Sequence, residues 1–305
     1  MSINDCSVSF IIIIDVGMEY PKISIVTPNY NKGEFLEYTI KSVLSQNYPN
    51  LEYIIIDGGS TDNSIDIIKK YQDRLAYWVS EPDKGMYDAI KKGFSHSSGE
   101  IMAWIGSDDM FHPNSFNIVA EIFQNKDINW LVGATTHFDV QGRCVSVSRS
   151  RYFSRAELLS GNYRWIQQES SFWRRTLYDK VGGLNAALKL AGDFDLWLRF
   201  SRYEKMYICN ALLGGFRISN KGQLSLSIDK YEAEVNECIK KECCTEDFRL
   251  VRSYKRCKWI INVINRLRIF NTIGFVKLLM RHEFLIANKQ TYSFDREIQK
   301  FVLPK

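Results

Sequence analysis

The residues of this chain best placed to do chemistry are acids at the ends of apolar runs. Ile101-Met102-Ala103-Trp104-Ile105 ends in Gly106-Ser107-Asp108-Asp109, and Phe111-His112-Pro113-Asn114 leads into the next helical pattern. An apolar run of this length reads as a buried strand. Strands buried on both faces belong to parallel sheets covered by helices, and such sheets bind ligands at the carboxyl ends of their strands. Two adjacent carboxylates repel each other, and a divalent cation with oxygen ligands relieves the repulsion. A plainer reading is that Asp108 and Asp109 cap the helix that begins near Asn114. For this pair alone, the cap is the stronger reading.

The elements that must position these acids repeat along the chain. Lys22–Thr27 reads as a strand broken by Pro28-Asn29-Tyr30-Asn31, and Phe35, Leu36, Ile40, Val43 and Leu44 follow with helical spacing. Leu51–Ile56 is a second strand, ending in Asp57-Gly58-Gly59-Ser60-Thr61-Asp62. The glycines let backbone approach a ligand, and Ser60, Thr61 or Asp62 can cap the helix Ser64–Tyr71. A third strand, Ala76–Val79, runs into Ser80-Glu81-Pro82-Asp83-Lys84-Gly85 and a helix over Met86–Ser95. Strand, polar loop and helix recur in this way four times, which predicts an α/β domain with a mainly parallel sheet. Asp57, Asp83, Asp108 and Asp109 then all fall on one edge of that sheet. One acid there is a cap; several converging acids point to a cation or nucleotide site.

The pattern changes after Gln124. Trp130–Thr135 and Cys144–Val147 read as an antiparallel pair around Gln141-Gly142-Arg143, and Gln167–Trp173 as another strand. A short helix over Leu177–Val181 stops at Gly182-Gly183. A further helix carries Leu196, Trp197 and Phe200 on its inner face, with Asp193 at its amino end and Asp195 two positions on. From about Tyr231 the pattern is helical. Trp259, Ile260, Val263, Ile264 and Leu267 form a stripe bordered by Lys255, Arg256, Lys258, Arg266 and Arg268, and Phe275, Val276, Leu278 and Leu279 continue it. Such a basic amphipathic helix either lies on anionic lipid or packs on the core with a solvated basic face.

Composition bounds the rest. With 305 residues the chain can bury one large α/β core with a smaller appendage. Its net charge of +5 is uneven. Residues 249–289 hold ten Lys/Arg against the single acid Glu283, a net of +9, which leaves the remainder at −4. Seven scattered cysteines, without a C-x-x-C pair, fit free thiols in a reducing cytoplasm. No run reaches the roughly 18 apolar residues of a membrane span, and Phe10–Ile14, with Asp5 before it, is no secretory signal. Residues 1–17 read as an upstream translation start or an extension. The basic tail has no recognisable nucleic-acid-binding module.

Five motifs occur in order: Ser24-Ile25-Val26-Thr27-Pro28-Asn29-Tyr30-Asn31, Asp57-Gly58-Gly59-Ser60-Thr61-Asp62, Glu81-Pro82-Asp83-Lys84-Gly85-Met86-Tyr87-Asp88-Ala89, Ser107-Asp108-Asp109 and Gly192-Asp193-Phe194-Asp195-Leu196-Trp197. Together they resemble glycosyltransferase family 2, whose members have the GT-A fold and inverting chemistry. The resemblance covers roughly residues 20–215. It implies a nucleotide-sugar half over about 21–125 and an acceptor half over about 126–220, between an extension at 1–20 and a helical, basic segment at 221–305.

The resemblance also implies roles. Pro28 and Tyr30 line the nucleotide pocket, Asp57 bonds the base, Asp83 sits near ribose or base, and Lys84 contacts the diphosphate. Ser107-Asp108-Asp109 stands at the family's D-x-D signature, with Asp109 the ligand of Mg²⁺ or Mn²⁺ and Asp108 towards the ribose or a metal-bound water. Ser107 replaces the first acid and removes one anionic ligand. Asp193 matches the catalytic base, with Gly192 in place of the Glu that usually precedes it. Gln167-Gln168-Glu169 and Trp197 border the acceptor. The expected enzyme moves a sugar from a nucleotide-sugar donor, UDP-linked in preference, to a glycan or lipid-linked acceptor. It works in surface-polysaccharide synthesis, in the cytoplasm at the inner face of the membrane. The rival readings are a non-catalytic sugar-nucleotide-binding scaffold and a nucleotidyltransferase. The second wants a Gly-rich phosphate loop after the first strand, and Pro28-Asn29-Tyr30-Asn31 is not one.

Overall fold

Four strand–loop–helix repeats build the half of the molecule that carries the acids. The computed structural model describes residues 20–161, 166–219, 228–267 and 290–303. In order come β1 (Ile23–Asn29), α1 (Gly33–Leu44), β2 (Leu51–Asp57), α2 (Ser64–Tyr71), β3 (Tyr77–Ser80), α3 (Met86–Ser95) and β4 (Ile101–Trp104). The strands pair in parallel in the order β3-β2-β1-β4, with Ile23 beside both Leu51 and Ile101. Chain order therefore reverses between β1 and β4. Open α/β sheets bind ligands at such a switch point, outside the carboxyl ends of the strands.

The second half extends the sheet with mixed direction. β5 (Met110–Phe111) and α4 (Ser115–Phe123) lead to β6 (Trp130–Phe138) and β7 (Cys144–Ser148), which pair antiparallel as their sequence predicts. After α5 (Arg155–Leu159), the Gln167–Trp173 segment departs from the expected single strand. Gln168–Ser170 forms a 3₁₀ turn, and only then does β8 (Ser171–Arg174) insert antiparallel between β4 and β6. Side-chain bonding from Gln167 and Gln168 to the backbone of Thr136 and Trp104 holds that turn. Next come α6 (Arg175–Lys180), α7 (Gly192–Phe200), β9 (Tyr207–Leu212), β10 (Gly214–Arg217), α8 (Ile228–Glu242) and α9 (Thr245–Leu267).

The expected C-terminal helical segment does not stay helical. β11 (Thr291–Asp295) pairs in parallel with β9, and β12 (Lys300–Val302) closes that edge. The alternating Thr-Tyr-Ser-Phe-Asp of β11 suits a half-buried strand. The expected stripe through Phe275–Leu279, and residues 1–17, lie outside the described residues. Among the described residues no helix is long and apolar enough to cross a membrane.

Four tryptophans weld the two halves beneath the site. Trp197 of α7 stacks on Trp104 of β4 (5.9 Å between centroids) and on Trp130 of β6 (5.4 Å), and Trp173 of β8 meets it edge-on. Each is at most 2% exposed. Burying an aromatic side chain removes about 150–250 Å² from water, roughly 4–6 kcal/mol at ~25 cal/mol per Å². Trp197 is thus a core residue rather than the expected border of the acceptor pocket, and it anchors the helix that carries Asp193.

Candidate active site

At the carboxyl end of β2, Asp57 is the hub of the first loop. It is fully buried. Its Oδ1 accepts from the Asn29 amide (2.6 Å) and the Ser60 hydroxyl (2.5 Å). Its Oδ2 accepts from the Gly59 and Ser60 N–H groups and the Ser80 hydroxyl. Burial pushes its carboxyl up, but these bonds outweigh it and hold the group below the ordinary value. The ends of β1, β2 and β3 are thereby tied together. The position that caps α2 is Asn63, whose side chain makes no cap bond, whereas Asp62 just before it accepts from Ser64 N–H at the start of α2 and from Gly33 N–H at the start of α1.

Around Asp57 the nucleotide-side residues fall as follows. Pro28 is buried within β1, whereas Tyr30 is 62% exposed just beyond it. Asp83 bends back to accept from Gly85 N–H (2.7 Å). A side chain at Gly58 would place its Cβ 2.6 Å from Asp83 Oδ2 and 3.4 Å from the Tyr30 ring, so Gly58 is what lets Asp83 and Tyr30 approach. The Lys84 side chain is exposed, and its carbonyl accepts from Lys189 Nζ.

At the end of β4, neither aspartate caps α4, whose amino end is Asn114 in the left-handed region. Asp108 Oδ2 pairs with Lys32 Nζ at 2.8 Å. Asp109 is 4% exposed, and its Oδ1 accepts from Arg217 N–H of β10 at 2.8 Å. Thr39 of α1 bonds the Asp109 carbonyl, and the Arg217 guanidinium bonds that of Asp108. The turn is therefore rigid. Burial, then the charges of Glu169 and Asp108, push the Asp109 carboxyl well above the ordinary carboxylate value.

Asp193 enters from α7. Its Oδ1 lies 3.3 Å from the Tyr87 hydroxyl, which also reaches the Leu190 carbonyl at 2.8 Å. No side-chain cap bond is made at the start of α7, so Asp193 is not a helix cap. Burial pushes its carboxyl up to about 6, and the Glu234 charge adds a minor push. Asp195 is engaged elsewhere, in an ion pair with Arg199 at 2.5 Å. Gly192 has a local reason: a Cβ there would lie 2.8 Å from the Tyr87 ring, which occupies the space of the missing side chain.

Glu169, in the 3₁₀ turn before β8, joins the two acids. It is 8% exposed, and its carboxyl is pushed up to about 7 by burial and by the charges of Asp193 and Asp108. Asp108, Asp109, Glu169 and Asp193 thus share one electrostatic cluster. Of the predicted acceptor-side trio, Gln167 and Gln168 are structural and Glu169 alone belongs to the site. The sequence gives no sign of Lys32 or Glu234, whose roles depend on distant partners. Tyr87 lies inside a quoted motif, but only the fold shows why a tyrosine stands there.

Asp109 with Asp108 behind it offers the hard carboxylate oxygens that Mg²⁺ or Mn²⁺ prefers. The crowding of negative charge is what such an ion relieves. Among the described residues, no three His, Cys, Asp or Glu side chains form a self-contained metal cage. Asp109 and Asp108 would hold such an ion only together with ligands from outside the chain.

The chain is similar to several known proteins. An uncharacterized glycosyltransferase of Mycobacterium tuberculosis is 32% identical over 59% of this chain and 68% of its own length. One from Rickettsia typhi is 26% identical over 72% of each. Staphylococcus aureus TarS, solved with UDP-GlcNAc, superposes with a TM-score of 0.61 at 16% identity, over 88% of this chain and 80% of that one. The mannosyltransferase PcManGT of Pyrobaculum calidifontis, solved with GDP-Man and Mn²⁺, gives 0.52 at 13% identity, over 88% and 87%. The fold is thus GT-A-like. The model of the family described as "Glycosyl transferase family 2" matches residues 24–186, more than half of the chain, and the protein belongs to that family.

Proposed function

We propose that this glycosyltransferase moves a sugar from a nucleoside-diphosphate sugar, a UDP-sugar in preference, to a hydroxyl of a glycan or lipid-linked acceptor in surface-polysaccharide assembly, with inversion. One observation carries the reading: Asp193, held by the Tyr87 hydroxyl and pushed up to about 6, is linked through the buried Glu169 to the Asp108–Asp109 pair at the carboxyl end of β4. A carboxylate of that basicity is ionised at neutral pH yet a stronger base than an ordinary aspartate. Asp193 takes the proton of the acceptor hydroxyl as that oxygen bonds to the anomeric carbon from the face opposite the diphosphate. The anomeric C–O bond breaks, the nucleoside diphosphate leaves, and the configuration inverts. Tyr87 holds the Asp193 carboxyl in place.

The donor lies over the ends of β1 to β4. Tyr30 offers an exposed ring to the base, Asp83 addresses base or ribose, and Lys84 reaches the diphosphate, while the buried Asp57, expected to bond the base, instead holds the loop beneath them. Asp109, with Asp108 in support, would hold Mg²⁺ or Mn²⁺, and such an ion would supply charge neutralisation for the leaving group. Support for donor and metal comes from TarS, bound to UDP-GlcNAc and to UDP, and from PcManGT, bound to GDP-Man and Mn²⁺. A thermal-shift panel of UDP-, GDP-, dTDP- and CMP-sugars, with and without Mn²⁺, tests the assignment. The expected result is stabilisation by a UDP-sugar that grows with Mn²⁺; stabilisation by none of them overturns the reading.

Placement at the inner membrane face rests on α9, where Trp259 is 65% exposed among the exposed Arg252, Lys255, Arg256 and Lys258. Basic residues beside an interfacial aromatic suit an anionic lipid surface. The protein is expected to sediment with phosphatidylserine vesicles at low salt and to be released at high salt. No binding at low salt leaves α9 as a solvated face.

A further inference from the structure

The helix α8 lies beyond the matched residues 24–186, yet it grips the loop that delivers Asp193. Glu234 directs its carboxylate at three consecutive backbone N–H groups. Lys189 N–H donates to Oε1 at 3.0 Å, Leu190 N–H to Oε2 at 2.8 Å and Ala191 N–H to Oε2 at 2.9 Å. Ala191 is the residue from which α7 starts, and its own side chain caps nothing. The N–H of the residue that starts a helix has no partner within it, and an anion at that end is favoured by both hydrogen bonding and the helix dipole. Here the anion comes from another helix, 43 residues further along the chain. On the far side of the same loop, Lys189 Nζ donates to the Lys84 carbonyl, next to Asp83 and Gly85. Tyr87, from the helix that follows Gly85, bonds the Leu190 carbonyl. Residues 189–191 are thus held on one side by α8 and on the other by the loop expected to meet the donor.

We propose that Glu234 is a positioning residue for the transfer step, clasping the 189–191 backbone so that Asp193 stays at the reacting centre. The proposal rests on Asp193 being the base. Glu234 acts through the backbone that it holds. It fixes where α7 begins, and with it the direction of the carboxyl two residues later. Docking of α8 does not depend on this clasp. Val235 and Cys238 of α8 are buried against the core, and Arg155 holds Glu242 at its end and, through two 2.7 Å bonds, Asp247 of the following α9. Loss of Glu234 therefore frees the loop without releasing the helix.

Glu234→Ala and Glu234→Gln test the clasp by amide hydrogen exchange at Lys189, Leu190 and Ala191, and by UDP release from whichever UDP-sugar stabilises the wild type most. In Glu234→Ala those three amides are expected to exchange faster, and kcat to fall about 10²-fold, the scale of a misplaced catalytic group, with UDP affinity unchanged. Glu234→Gln keeps an acceptor oxygen and is expected to restore protection and most of the rate. Unchanged exchange in Glu234→Ala, or a kcat equal to wild type, overturns the proposal. So does a glutamine variant as slow as the alanine one although equally stable to heat. Asp193→Asn, run beside them, separates the two ideas. Near-normal turnover in that variant removes the base assignment, while amide exchange still reports whether Glu234 holds the loop.

Discussion

Two buried glutamates at opposite ends of the same sheet have been treated in opposite ways. Glu52, at the start of β2, is 7% exposed, and Glu169, at the carboxyl edge of β4, is 8% exposed. Burial pushes both carboxyls up. Around Glu52 the chain answers with Lys22, with the Ser24 hydroxyl at 2.5 Å, and with the N–H and hydroxyl of Ser98, which bring it down to about 2. Around Glu169 it supplies Asp108, Asp109 and Asp193 instead, and the carboxyl rises to about 7. A fold that can satisfy a buried acid so fully at one end has not done so at the other. Perturbed groups collect where chemistry is done. The amino edge is built for stability, and the carboxyl edge keeps its negative charge available to a cation and to a proton.

The largest effect is expected from removing the basicity of the carboxyl edge. Asp193→Asn keeps the shape of α7 and the Tyr87 contact. It should bind donor normally in a UDP titration yet lose transfer by at least the ~10²–10⁴-fold that acid–base help contributes. In the wild type, kcat/KM should fall as pH drops through about 6, where Asp193 becomes protonated. Turnover that is level down to pH 4 would remove Asp193 from the base role and leave the comparison without its chemical meaning. Next comes Asp109→Ala, which should abolish the gain in UDP affinity on adding Mn²⁺. An unchanged gain would mean that the crowded acids are not there to receive a cation.

How much of this contrast a reader of the sequence can see depends on distance along the chain. The acids of the nucleotide side sit at strand ends, and a strand–loop–helix period is local, so Asp57, Asp83, Asp108 and Asp109 are visible as one edge before any fold is known. Asp193 is visible because an apolar helical face follows it directly. Glu169 is visible only as one of three polar residues bordering the acceptor, because its turn takes its shape from bonds that Gln167 and Gln168 make to Thr136 and Trp104, 31 and 64 residues away. The ladder around Glu52 is equally hidden, since Ser98 is 46 residues off. Trp197 misleads for a related reason. An aromatic beside a candidate base invites a pocket reading, and only the stack with Trp104 and Trp130 shows it to be core. The strands β11 and β12 are missed, because the helical reading is carried from Tyr231 to the end of the chain over the alternating Thr291–Asp295.

At the amino edge the test is stability. Glu52→Ala removes the acceptor of the buried Ser24 hydroxyl and of the Ser98 N–H, which costs about 1–3 kcal/mol at pH 7 in a urea titration. The sign with pH follows from the lowered carboxyl. Its contribution is complete above the ordinary glutamate value of 4.5 and is lost as pH falls through about 2. The gap between variant and wild type should accordingly be wide at pH 7 and narrow towards pH 2. A gap of the same size at both ends would show that packing, rather than the charge of Glu52, holds this edge.

Glu169→Gln is the smallest change and the sharpest on the contrast, because it should stabilise. A carboxyl raised from 4.5 to about 7 binds its proton more tightly in the folded chain than in the unfolded one. Stability contributed by that group is therefore full below pH 4.5 and is lost as pH rises through about 7. Glutamine has the same shape and no charge to lose. At pH 8, without metal, the variant should exceed wild type by on the order of 1 kcal/mol, and at pH 4 the two should coincide. Adding Mn²⁺ and UDP should narrow the difference at pH 8, since a cation beside Asp109 relieves the repulsion that glutamine has already removed. If Glu169→Gln instead destabilises at every pH, Glu169 is a satisfied structural acid like Glu52. The two ends of the sheet would then differ only in which donors they use.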